Sequence, residues 1–374
     1  MVLFTSQFNA FLLLLFLKIG TNSGAQKFSR VITYLYSQFS HSTYPSISDK
    51  DAWPDDMNGF DQRGCPNIIP DLLAMPIWYP APTSPPSPFS NGRDVVIERD
   101  LPFISILESN YEMIRDEFFA ARNVTGNRGF QPYRAPSSSS SSQQDSLGYL
   151  ATDVGDWNVA YLYLHGINFD DNLKLFPKTA ALVKSLKRHY HHSFFSALSP
   201  STHVRPHYGP TNKKLRCHLP LVVPNSDGNG DTNVSCCRLI VGGQTVCLQE
   251  GKCVVFDDSF LHEAYNDDIM EPRVVLIIDF WHPDFTDEEI RFLSYINNAQ
   301  INTAKRMASE QSTCANGQGG GEEENSNFFT IIENVKKMSV GNAVDKNLIW
   351  GSSCDTEELK NVCNDNMDYD VVDD

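Results

Sequence analysis

Between Phe194 and Trp281 the chain breaks into short apolar runs: FFSAL, LRCHLPLVV, CRLIV, TVCL, KCVVFDD and RVVLIIDFW. Clusters of Gly, Asn, Asp and Pro, such as NSDGNGD, VGGQ and QEGK, separate them. Short runs bounded by turn formers read as strands, and many of them at near-regular spacing predict a β-sandwich or barrel. WNVAYLYLHG, from Trp157, reads as a further strand upstream. The flanks carry a different period. Within residues 101–120, Ile104, Leu107, Tyr111, Ile114 and Phe118 recur at intervals of three and four, the stripe of an amphipathic helix. FPKTAALVKSLKRH reads as a helix opened by Pro177, and residues 286–308 as one capped by Thr286. The pattern predicts a mainly β fold with flanking helices and shows no internal repeat.

The ends read differently. Residues 26–95 are rich in Pro, Ser and aromatics, with PAPTSPPSPFSNG near their end, and predict irregular chain wrapped on a domain or partly disordered. SSSSSSQQDS at 137–146 predicts a flexible loop. An apolar run from Ala10 to Leu17 is too short to span a bilayer and fits a signal-peptide core, with Ser23, Gly24 and Ala25 suited to cleavage. The alternative is a buried N-terminal helix. The boundaries that follow are a signal peptide at 1–25, an irregular region at 26–95, a catalytic-size domain at 96–295, and a helix end with an acidic tail at 296–374. No integral membrane anchor is evident.

Composition narrows the partners. A formal charge of −16 over 374 residues argues against nucleic-acid binding, which needs a basic footprint. The nine cysteines are compatible with secretion, and their odd number leaves at least one thiol free or bonded between chains. No C-x-x-C pair occurs, which argues against a zinc ribbon or a thioredoxin-type motif. Sequons at Asn123 and Asn233 suit a glycoprotein of the secretory pathway, either in the ER lumen or secreted. The C-terminal DVVDD is not a retrieval signal of the KDEL kind.

Chemistry concentrates in HVRPHYGPTNKKLRCHL, residues 203–219. Side chains two apart on a strand share a face, so Arg216 and His218 point one way and Leu215, Cys217, Leu219 and Leu221 the other. The pair either faces a barrel interior, where a bound anion would satisfy it, or lies on a half-exposed edge. By the same alternation His203 and Arg205 share the face of His207. Further on, FDDSFLHEAYND brings His262, and eleven residues later Arg273 opens a strongly apolar strand. A guanidinium there is costly to bury without a carboxylate, which it grips through two parallel hydrogen bonds. A histidine in such a run is ordinarily a hydrogen-bonded core residue, and HYHH at 189–192, which looks like a metal-binding cluster, reads rather as a solvated helix end without function. Trp157 and Trp281 read as packing residues, and His282 as fixing a strand end.

The combination HxxPHxGPTNxxLRxHL with FDDSFxHE, followed by RVVLIIDFWHPDFT, resembles the aspartyl/asparaginyl β-hydroxylase family over roughly residues 95–295. The resemblance implies a double-stranded β-helix, a jelly-roll relative of cupins. It also implies an Fe(II)- and 2-oxoglutarate-dependent dioxygenase that uses O₂ to hydroxylate Asp or Asn side chains of a protein or peptide substrate. The extracellular disulfide-rich domains are the plausible substrates. His207 and His262 would bind iron, and Ser196, Arg216, His218 and Arg273 would hold 2-oxoglutarate. Imidazole ligands suit Fe(II) and leave positions open on the metal. Gly209 stands where bacterial relatives carry an aspartate ligand and follows the animal-type pattern. Glycine or alanine at that position also occurs in iron halogenases, so halide chemistry stays open. So do two roles for Asp257, Asp258 and Glu263, as metal ligands or as groups that orient ligands and cap turns. Two other functions remain: a non-catalytic jelly-roll binding module, and an oxygenase of another substrate such as a lipid acyl chain.

Overall fold

The alternation within the apolar runs resolves into two stacked antiparallel sheets. The computed structural model describes residues 31, 62, 64–80, 95–135, 149–224 and 237–314. The predicted signal peptide, the serine loop, the Asn233 sequon and the acidic tail lie outside them.

In chain order the first elements are β1 (Ile77–Tyr79), α1 (Ile97–Asp100), α2 (Phe103–Ser109), α3 (Tyr111–Thr125), β2 (Gln131–Pro132) and β3 (Arg134–Ala135). Next come β4 (Tyr149–Leu150), β5 (Thr152–Val154), β6 (Trp157–Leu164), β7 (Ile167–Asn168), α4 (Asp170–Leu175) and α5 (Pro177–Ser185). The core strands are β8 (His189–Leu198), β9 (Thr202–His207), β10 (Lys214–Val222), β11 (Cys237–Val241), β12 (Gln244–Cys247), β13 (Val254–Phe256), β14 (His262–Asn266) and β15 (Arg273–Trp281). A long helix, α6 (Asp287–Cys314), follows.

The large sheet runs β1-β13-β10-β15-β8-β6-β2 and the small one β12-β11-β14-β9-β5. From β8 to β15 the chain passes between the sheets, placing β8, β10, β13 and β15 in one and β9, β11, β12 and β14 in the other. That is the two-Greek-key winding of a jelly roll, the double-stranded β-helix expected from the resemblance.

The large sheet is covered on both faces, which explains why β15 reads as almost unbroken apolar sequence. One set of alternate residues (Phe195, Leu215, Cys217, Leu219, Leu276, Ile278) packs against Leu107, Ile114 and Phe118 of the helical layer. The other set (Phe194, Leu198, Phe256, Val275, Ile277) faces Val204, Leu239, Val241 and Ala264 of the small sheet. Arg216 and His218 lie on the second face, because their neighbours Leu215, Cys217 and Leu219 belong to the first. The question left open for this pair is thereby settled in favour of the barrel interior.

Local signals hold where they are specific. Pro177 occupies the first turn of α5. The predicted helix over 101–120 is present as two pieces, α2 and α3, with Asn110 between them closing the first and preceding the second. Thr286 and Glu289 form a reciprocal cap: the Glu289 amide donates to Thr286 Oγ1 at 3.2 Å and the Thr286 amide to Glu289 Oε2 at 2.8 Å. Replacing Thr286 by alanine is expected to lower stability by about 1 kcal/mol, read as a shift in denaturant midpoint without change in slope.

HYHH is not a solvated helix end. The helix stops at Ser185, Arg188 takes a left-handed φ of 62°, and His189 opens β8. His189 and His192 are both buried there. Histidine is polar enough to look like surface, but in β8 its rings pack edge-on or tilted among Tyr163, Tyr161 and Phe194.

Residues 64–80, within the stretch expected to be irregular, lie against the domain. β1 joins the edge of the large sheet by pairing with β13, and Trp78 is fully buried. Among the described residues no helix is long and apolar enough to cross a membrane.

Candidate active site

Two histidines meet on neighbouring strands of the small sheet. His207, the last residue of β9, pairs in register with His262, the first of β14, and their ring centroids are 4.1 Å apart. Each ring is held the same way. His207 Nδ1 donates to the Arg205 carbonyl at 2.7 Å and His262 Nδ1 to the Phe260 carbonyl at 2.9 Å. A carbonyl only accepts, so Nδ1 carries the proton in both rings and Nε2 is left with its lone pair, the tautomer that binds a metal. Burial depresses the pKa of His207, and that of His262 more strongly, keeping both rings neutral.

Simple alternation placed His203 and Arg205 on the face of His207, and the structure corrects this. Val204 pairs with Ala264 while His207 pairs with His262, so Arg205 and Pro206 together oppose the single residue Glu263. This β-bulge adds a residue and reverses the parity of the strand. His207 turns to the face of Val204, towards His262, whereas Arg205 stays exposed. His203 stacks on Tyr265 at 4.1 Å and bridges Asp153 and Glu263.

Among the described residues no group of three His, Cys, Asp or Glu side chains is arranged to hold a metal. The three carboxylates considered have other partners. Glu263 bonds His203 and Tyr265, Asp257 accepts from Ser259, and Asp258 Oδ2 accepts from Lys214 Nζ at 2.6 Å. The Gly209 amide donates to the Asp258 carbonyl at 2.6 Å, and a Cβ on Gly209 would stand 2.6 Å from Asp258 Cγ. Asp258 fills the space that a side chain at 209 would need, and its buried Oδ1 has no hydrogen-bond partner.

Behind the histidines the barrel interior is polar and unevenly satisfied. Arg216 donates through Nε and NH2 to the two oxygens of Asp279, at 2.8 and 3.0 Å, and its NH1 lies 3.4 Å from Asp258. Lys214, two residues earlier on the same face, bridges Asp258 and Asp279. Burial opposes the charge on Arg216, but Asp279 and Asp258 outweigh it and raise its pKa. Arg273 has no such support. It is 2% exposed, its Nε has no partner, and NH1 reaches only the Tyr265 carbonyl at 3.4 Å. Burial alone pulls its pKa down to about 10, and no carboxylate of the described residues pairs with it.

His218 is similarly exposed to loss. Burial and then the nearby charges of Arg273 and Arg216 hold it well below the usual histidine range, and its Nδ1 has no partner. Ser196 Oγ accepts from Trp157 Nε1 at 2.9 Å, and Trp157 stacks on Tyr133 at 3.8 Å. Ser196 pairs with Val275 on β15, two residues from Arg273. His207 and His262 thus form one locus, and Ser196, Arg216, His218 and Arg273 all lie on the interior of the large sheet.

Lys214 and Asp279 were not foreseen as parts of the site. Both carried a signal. Lys214 extends the two-residue period of Arg216 and His218, and Asp279 continues that of Arg273 through an otherwise apolar strand.

The sequence profile of the family described as Aspartyl/Asparaginyl beta-hydroxylase matches residues 108–283. Aspartate beta-hydroxylase domain-containing protein 2 of Homo sapiens is 36% identical over 200 residues, 52% of this chain and 48% of that protein. Aspartyl/asparaginyl beta-hydroxylase of Homo sapiens is 32% identical over 197 residues, 52% of this chain and 23% of that protein. Aspartate beta-hydroxylase domain-containing protein 1 of Mus musculus is 39% identical over 104 residues, 27% of this chain and 26% of that protein. The aligned region is 48% of the first of these relatives, so the likeness concerns one domain. Residues 108–283, which carry both histidines and the interior residues behind them, match the aspartyl/asparaginyl β-hydroxylase family.

Proposed function

We propose that the chain is an Fe(II)- and 2-oxoglutarate-dependent dioxygenase that hydroxylates Asp or Asn side chains of a protein substrate. The observation that carries this reading is a pair of histidines with free Nε2 lone pairs in front of a buried arginine that has no carboxylate. Two imidazoles suit Fe(II), and a dicarboxylic acid would satisfy the orphaned donors of Arg273 and His218. The residues therefore fit both groups. His207 and His262 would hold the iron; Arg273, with His218, Ser196 and Arg216, would hold 2-oxoglutarate. When bound, iron and 2-oxoglutarate together supply the activation of O₂ and the insertion of one oxygen into a C–H bond.

The protein's own part is positional. The Arg205 and Phe260 carbonyls fix the histidine tautomers, so metal entry requires no proton loss from either ring. Lys214 and Asp279 hold Arg216 rigid inside the barrel, so its orientation costs nothing when the cosubstrate enters. Asp258 Oδ1 is a buried acceptor beside Gly209, suited to a water on the metal position that no protein carboxylate occupies. Entry into the secretory pathway and extracellular domains as substrates belong to the same proposal, supported by the N-terminal apolar run and the sequons.

The test is turnover of 2-oxoglutarate to succinate with Fe(II), O₂ and candidate Asp- and Asn-containing peptides, with mass spectrometry of the peptide. Gain of one oxygen on Asp or Asn is expected, and both succinate and product should fall to background in His207→Ala and in His262→Ala. Succinate formation unchanged in both variants would overturn the mechanism; oxidation of a lipid but no peptide would overturn the substrate.

A further inference from the structure

Residues 62 and 64–69 run across the outside of the site, N-terminal to the region that the family profile matches. We propose that this strap is a positioning element of the metal site, an inference that rests on the reading of His207 and His262 as metal ligands.

The two ligands arrive on two separate segments, 207–212 and 257–262, joined directly by the Gly209 amide and the Asp258 carbonyl at 2.6 Å. The strap bonds to both. Gln62 Nε2 donates to Ser259 Oγ at 2.6 Å and to Asp257 Oδ2 at 3.3 Å. Asn67 Nδ2 donates to the Pro210 carbonyl at 3.0 Å. Asn212 closes a two-bond bridge with the Ile69 backbone, accepting from its amide at 2.8 Å and donating to its carbonyl at 2.9 Å. Gly64 lies flat on the ring of Tyr208, where a Cβ would meet Cδ2 at 2.2 Å. On one segment the contacts fall at Tyr208, Pro210 and Asn212, bracketing Gly209. On the other they fall at Asp257 and Ser259, bracketing Asp258.

The strap is itself anchored. Ile69 is buried with Trp281, Phe285 and Leu293, and the Leu73 amide donates to Asp284 Oδ2 at 2.8 Å. Gln62 is 5% exposed, so its amide is committed to these partners rather than to water. The arrangement clamps the Gly209–Asp258 contact from outside and thereby sets how far apart the two histidine segments stand. Metal affinity is sensitive to this kind of support, changing by about 10- to 100-fold when groups that orient ligands are removed.

The experiment uses the full chain carrying Gln62→Met, which keeps length and packing but loses the donor, and the milder Asn67→Ala. Mn(II), a redox-inert stand-in for Fe(II), is titrated by electron paramagnetic resonance, and hydrogen exchange at the Gly209 amide is measured without metal. The inference predicts that Gln62→Met weakens Mn(II) binding about tenfold or more and speeds exchange at Gly209, while exchange in β8 and β15 is unchanged. Asn67→Ala should shift both readouts in the same direction by less. Wild-type Mn(II) affinity and wild-type Gly209 exchange in both variants would overturn the inference. Absence of Mn(II) binding by the wild-type chain would instead overturn the reading of the histidines on which it depends.

Discussion

Replacing Arg273 by methionine should weaken 2-oxoglutarate binding by at least about 30-fold and leave the metal-free protein as stable as before, or more so. The two halves of that result have one cause. Arg273 is buried without a carboxylate, and burial lowers its pKa from 12.5 to about 10. For a base whose folded-state pKa is depressed, the charged form is disfavoured on folding. The penalty is present in full below the folded pKa, shrinks as pH rises from the folded towards the unfolded value, and is gone above the latter. At neutral pH the protein therefore carries the whole cost, on the order of 3 kcal/mol for a shift of this size. Methionine removes that cost and keeps much of the volume. A bound dicarboxylate repays it, which is why loss of the guanidinium should weaken 2-oxoglutarate by at least about 30-fold. Calorimetric titration of 2-oxoglutarate and a metal-free thermal melt read the two effects separately. Wild-type cosubstrate affinity in Arg273→Met would refute the assignment. A strongly destabilised metal-free variant would show instead that the guanidinium serves the fold.

Restoring a carboxylate at position 209 should damage the site rather than complete it. A Cβ there would lie 2.6 Å from Asp258 Cγ and 2.7 Å from both Asp258 O and Oδ1. One of these atoms is backbone, and the carboxylate is fixed by Lys214. Gly209→Ala is expected to cost about 1–3 kcal/mol through overpacking, and to weaken the metal site by forcing the Gly209 amide off the Asp258 carbonyl. Gly209→Asp should be worse in both respects, because its longer side chain meets the same obstacle before reaching the metal. Denaturant unfolding and metal titration of the two variants check this. Tighter iron binding with retained turnover in Gly209→Asp would refute it.

Much of the architecture was legible because it is local. The alternation of Arg216 and His218 against Leu215, Cys217 and Leu219 is present in the sequence, and so are the turn clusters, Pro177 and the Thr286 cap. Which face of β10 looked inwards was not legible, since helices cover one face and the small sheet the other, and both demand burial. The orientation of His207 needed knowledge of a bulge, which depends on what Arg205 and Pro206 oppose across the sheet rather than on their identities. HYHH misled for a related reason: histidine is polar in sequence but packs as an aromatic once its neighbours are Tyr163 and Phe194. The Gln62 contacts join residues 195 and 197 positions apart, a separation at which no local pattern carries a signal.

The bulge at Arg205 and Pro206 also makes the site a matter of counting. Either residue can change its side chain without moving His207, because the ring is aimed by the number of residues between Val204 and His207. Flattening the bulge at unchanged length would restore plain alternation over three positions and turn the imidazole to the outer face, away from His262, whereas deleting one of the two residues would leave it on the face of Val204. Along this strand the match between residue count and pairing therefore matters more than the identities at 205 and 206. The pairing of the two histidines is written in spacing, as a reading frame is, more than in composition.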